Sequence, residues 1–77
     1  MTICTMKESK ILDNFGKRVR NLREAAGYSQ EDFAVESGLD RSYFGAVERG
    51  QRNLSLRNVE KIAEALGITI AELMEGV

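Results

Sequence analysis

Residues 29–50 confine this chain to a small set of shapes. Two short runs with helical spacing of apolar residues stand on either side of Gly38. A glycine there supplies the left-handed turn that a residue with a Cβ resists. Ala34 is small at the point where a second helix would cross the first steeply. Phe33, Leu39, Phe44 and Val47 are apolar at offsets that bury them between the two helices and the one preceding them. The second run opens on Arg41, Ser42 and Tyr43, three polar-tipped residues on a turn that the core does not require.

Around this centre the chain is helical throughout. It has no proline, and Leu, Ala, Glu, Lys and Arg are abundant. Helices are expected over 10–26, 30–37, 41–49, 56–66 and 70–75. The first carries Ile11, Phe15, Val19, Leu22 and Ala26 on one face, and the fourth turns Val59, Ile62, Ala63 and Leu66 inward. Gly27, Gly50, Gly67 and Gly76 mark helix ends. Ser29 with Asp32 and Thr69 with Glu72 have capping-box spacing, and Asp40 and Ser55 are suited to N-caps. Residues 1–9 lack periodicity and are expected to form a flexible arm, with one domain over 10–77.

Composition narrows the function. At 77 residues the chain is one small domain whose core stabilises it only marginally, so an oligomer interface would add to it. It has no histidine and one cysteine, Cys4. That rules out an internal disulfide or a Cys/His metal site, and Cys4 is simplest as a reduced thiol. No clustered nucleophile or phosphate-cradling glycine loop is present, so neither an enzyme nor a cofactor is expected. The N-terminus has no long apolar run, and a cytoplasmic, nucleoid-associated location without a membrane is expected.

The formal net charge is only −1, but its distribution is uneven. Lys7, Lys10, Lys17, Arg18, Arg20 and Arg23 outnumber Glu8 and Asp13 in the first segment. Arg41, Arg49, Arg52 and Arg57 face only Glu48 in the third helix and the segment after it. The remaining acids gather in the second helix and near the C-terminus, which suits a protein that meets phosphate on one face. Two steeply packed short helices, the second opening on Arg, Ser and Tyr, present side chains as a helix-turn-helix does to the DNA major groove. An ordinary helical hairpin would leave that polar opening turn unexplained.

The stretches 27–34, 38–43, 47–50 and 66–68 resemble the phage repressor and Cro class of helix-turn-helix proteins, the Xre family. The resemblance extends from the first helix to Gly76. It implies an all-α, compact five-helix, lambda-repressor-like domain that binds double-stranded operator DNA as a homodimer. Within the family, the segments 39–43 and 49–53 most resemble restriction–modification controller proteins.

Arg41 is the expected base reader, because a guanidinium can bond guanine O6 and N7 together, worth ~1–3 kcal/mol of discrimination. Ser42 and Ala46 are expected beside it at the base edges. Gln30, Tyr43, Arg49, Arg52 and Asn53 are expected at phosphates, Gln30 through the positive end of its helix, Tyr43 through its hydroxyl on the opening turn of the third helix, and the others from around the loop after Gly50. Gly45 weakens a helix and calls for a steric reason. The resemblance implies that Gln30 buttresses the recognition helix and that Glu48 pairs with Arg23. Ile70 and Met74 exceed what a small core needs and are expected at a twofold interface, with Leu73 closing the core. No small-molecule effector is expected. An antitoxin that also masks a toxin, and an adaptor that has lost DNA binding, are the alternative readings of the same fold.

Overall fold

The structure, a computed structural model, describes the backbone of residues 2–77 and the side chains from Lys10 onward. Five α-helices follow one another: α1 (Thr2–Ala25), α2 (Gln30–Ser37), α3 (Arg41–Glu48), α4 (Leu56–Leu66) and α5 (Ile70–Leu73). The first begins far earlier than expected. Residues 2–9, read from sequence as an arm, continue the backbone helix, since no proline or glycine interrupts the chain before Gly16. The side chains of that stretch, including Cys4, Lys7 and Glu8, lie outside the described residues.

Helix starts follow the local chemistry. Ser29, Asp40, Ser55 and Thr69 each accept the backbone N–H three residues on, which satisfies a donor the helix leaves unpaired. A reciprocal box forms only at Thr69, where the Glu72 carboxylate accepts from the Thr69 N–H at 2.9 Å. Asp32 is one methylene shorter than Glu72, and at α2 only the Ser29 half is present. Between α2 and α3 Gly38 has φ 73°, and the next N–H, from Leu39, reaches back to the Ala34 carbonyl at 3.0 Å. The bend is therefore closed by the backbone itself.

Phe33 and Phe44 meet at the centre with ring centroids 5.1 Å apart, and Tyr28 stands edge-on to Phe33 at 5.3 Å. Phe15, Val19, Ala34, Val47, Val59, Ile62, Ala63 and Leu73 complete the buried cluster. Each large side chain of this kind contributes about 1.5–3 kcal/mol through burial. Ile11 and Ala26, expected on the inner face of α1, are exposed. Ile11 stands at the rim of an open hollow, and Ala26 lies past the end of α1.

Gly16 sets the crossing of α1 over the end of α3. A Cβ there would stand 2.5 Å from the Glu48 carbonyl oxygen and 2.6 Å from that of Val47. Only a residue without a side chain permits this backbone contact. Arg18 ties α5 to α1, donating from Nε to the Leu73 carbonyl at 3.2 Å and from Nη2 to that of Glu72 at 2.7 Å. A cation on the last carbonyls of a helix is favourable, and it gives a helix of four residues an anchor. No described helix is long and apolar enough to cross a membrane.

Candidate nucleic-acid interface

Helix α3 has a buried middle and an exposed start. Phe44, Gly45, Ala46 and Val47 are buried, whereas Arg41 and Ser42 are exposed. The Arg41 side chain keeps 63% of its surface, and its neighbour Glu31 lies 3.6 Å away on the exposed start of α2. An exposed pair like this contributes about 0–1 kcal/mol and separates readily. The opening turn of α3 is thus held in place by the core beneath it and remains open above.

Beneath the opposite end lies a polar clamp. The Glu48 side chain retains only 3% of its surface. Arg23 donates to it twice, from Nε to Oε2 at 2.7 Å and from Nη2 to Oε1 at 3.2 Å. Arg23 also donates from Nη1 to the Tyr28 carbonyl at 2.9 Å. Gln30 joins through Nε2, donating to Glu48 Oε1 at 2.9 Å. The hydrogen bond to Glu48 raises the Arg23 pKa above its ordinary value against the opposing effect of burial, so the guanidinium stays charged. No buried side-chain polar atom among the described residues lacks a hydrogen-bond partner. Three helices, α1, α2 and α3, are therefore joined at one carboxylate.

The remaining expected contacts divide. Ala46 retains 8% exposure, and its carbonyl accepts the Gln51 N–H as the chain closes α3 through Gly50. Its methyl is largely enclosed, unlike the exposed side chains of Arg41 and Ser42. Tyr43 is half-buried. Its hydroxyl accepts from Asn58 Nδ2 at 3.0 Å, and the Arg52 guanidinium lies 5.7 Å over its ring. The ring thus supports Arg52, and the hydroxyl proton is what remains for a phosphate. Arg49 is exposed, its Nε donating to Gln51 Oε1 at 3.2 Å, and Arg52 and Asn53 are exposed on the loop. That loop is held close to α1, because at Gly50, with φ 74°, any side chain would collide with Asp13.

Two of the basic residues counted in the first segment serve the fold: Arg23 in the clamp and Arg18 on α5. The sequence reasoning overlooked Gly16, Asp13, Arg18 as an anchor and Asn58. A lone glycine inside a strong helix pattern was a usable signal for Gly16. No local signal marks the other three, because their partners lie at least fifteen positions away.

Ile70 and Met74 are exposed, as is Ile11. An open hollow of about 190 Å³ lies between Ile11, Leu12 and Phe15 of α1, Leu54 of the loop, and Met74. No group of three or more His, Cys, Asp or Glu among the described residues is placed to hold a metal.

Comparison with known proteins matches this geometry. The family model described as Helix-turn-helix covers residues 19–73. Control protein C.MunI of Mycoplasma is 45% identical over 73 residues, covering 94% of this chain and 96% of its own. The crystal structure of the restriction–modification controller C.AhdI from Aeromonas hydrophila superposes with a TM-score of 0.78 at 61% identity, over 80% of this chain and 94% of that one. The controller C.Esp1396I, solved bound to a 25 base pair operator site, has a TM-score of 0.76 at 32% identity over 84% of this chain and 86% of its own. The chain belongs to the Xre-type helix-turn-helix family, among the restriction–modification controller proteins.

Proposed function

We propose that this protein is a dimeric, sequence-specific transcriptional regulator that reads operator DNA with α3 in the major groove. The observation that carries the reading is the exposure of Arg41 and Ser42 on the first turn of a helix whose middle is buried. Arg41 meets the base edges, with a guanine preference set by its paired donors, and Ser42 lies beside it. Gln30, Tyr43, Arg49, Arg52 and Asn53 meet phosphates and fix the register without reading sequence. The operator named for C.Esp1396I supports the same chemistry here.

A second copy packs on Ile70 and Met74, next to the hollow that Ile11 borders. Two recognition helices then stand ~34 Å apart, one turn of duplex. Affinity falls steeply with salt as phosphate contacts release counterions.

Selection of binding sites from random duplex DNA tests this. The expected product is a pair of half-sites one turn apart, each with a guanine that Arg41→Ala no longer requires. Recovery of no preferred sequence would overturn the proposal. Light scattering tests the assembly: the wild type is expected as a dimer and Met74→Asp as a monomer. A wild-type monomer at high micromolar concentration would show that Ile70 and Met74 merely border a monomeric core.

A further inference from the structure

Gly45 is buried although it lies on the outward stripe of α3, four residues from Arg41 on one side and from Arg49 on the other. What covers it is side chain. A Cβ on Gly45 would stand 3.2 Å from Arg49 Nη1, and 3.7 and 3.9 Å from Gln30 Oε1 and Nε2. The Arg49 guanidinium and the Gln30 carboxamide thus lie across bare backbone in the middle of the recognition helix. Each is also held from elsewhere, Gln30 by Glu48 at 2.9 Å and Arg49 by Gln51 at 3.2 Å. The tightest of the three contacts is with the far end of a flexible side chain, so a methyl group at position 45 displaces Arg49 at little cost to the fold.

We propose that Gly45 is a specificity-determining position that acts through Arg49. By carrying no side chain it seats Arg49 beside Gln30, and those two contacts fix the depth and register at which Arg41 meets the bases. The inference rests on the DNA-binding reading above and assigns to Gly45 a role that touches neither base nor phosphate. Its effect on sequence preference is indirect, because contacts that position a helix decide which base edge its reader reaches.

A double-mutant cycle on the full chain tests it. The affinity ratio between the selected operator and a random duplex is measured for the wild type, Gly45→Ala, Arg49→Ala and the double variant, with melting followed in parallel. Gly45→Ala is expected to lose about tenfold in that ratio, on the scale of one base contact. Its melting point should stay level or rise, since alanine favours helix over glycine. The double variant is expected to discriminate no worse than Arg49→Ala alone. An unchanged ratio in Gly45→Ala overturns the proposal, as does a lowered melting point, which would make Gly45 a packing residue. A further loss on adding Gly45→Ala to Arg49→Ala also overturns it, because the methyl would then be meeting DNA directly. A wild type that selects no sequence sinks the DNA-binding reading itself, a result distinct from each of these.

Discussion

The two ends of α3 handle charge in opposite ways. At the C-terminal end Glu48 is buried, and Arg23 and Gln30 bond to it from two other helices. At the N-terminal end Arg41 is exposed and only loosely paired with Glu31. A buried pair adds little net stability against a well-packed apolar replacement, yet losing one partner is costly because the other is stranded. It therefore suits a joint whose angle must not vary. An exposed pair costs little to separate, which suits the role proposed for Arg41, exchanging its partner for DNA. The same helix is fixed at one end so that it can remain available at the other.

Substitutions at the two ends should differ in kind as well as in size. Glu48→Ala strands Arg23 and releases Gln30, at about 3–5 kcal/mol. Melting temperature and operator affinity should fall together. An affinity loss without a change in melting would show that the clamp is no clamp, and the contrast would collapse. Gly16→Ala tests the same end through backbone contact. Because two carbonyl oxygens stand where the methyl would go, it should cost about 1–3 kcal/mol of overpacking, with little effect on discrimination once the loss of folded protein is corrected for. At the open end, Arg41→Ala should leave melting unchanged and remove ~1–3 kcal/mol of preference at one base pair while keeping most nonspecific, salt-sensitive binding. If the variant still chose its operator over random DNA, Arg41 would not be the reader. The smallest effect belongs to Glu31→Ala, within about 0.5 kcal/mol in melting. Affinity should stay level or rise, because Arg41 no longer leaves a partner behind. A clear loss of stability there would mean that the open end is braced after all.

Much of the site could be read in the residues. The polar opening turn of α3, the bend at Gly38 and the caps at Ser29, Asp40, Ser55 and Thr69 are local patterns, and the structure has them where the sequence places them. The enclosure of Ala46 was not legible, because a small residue one turn along from Ser42 looks the same in sequence whether it faces outward or is covered. Its burial is a matter of tertiary path. Gly45 and Gly16 are alike as letters, one beneath the side chains of Gln30 and Arg49 and the other beneath the backbone of α3. Their partners are remote in the chain or depend on rotamers, so periodicity carries no trace of them.

Sequence alone determined the helical character, the order of the elements and the residues offered on the leading edge of α3. Those depend on backbone propensity, capping and spacing within a few residues. The pairing of Arg23 with Glu48 was implied by the family resemblance and is present, but neither composition nor spacing marks it, and tertiary structure alone decided that Arg18 is held by the end of α5. The reason is physical: a charge is committed by what desolvates it, and desolvation is set by segments that meet only when the chain has folded.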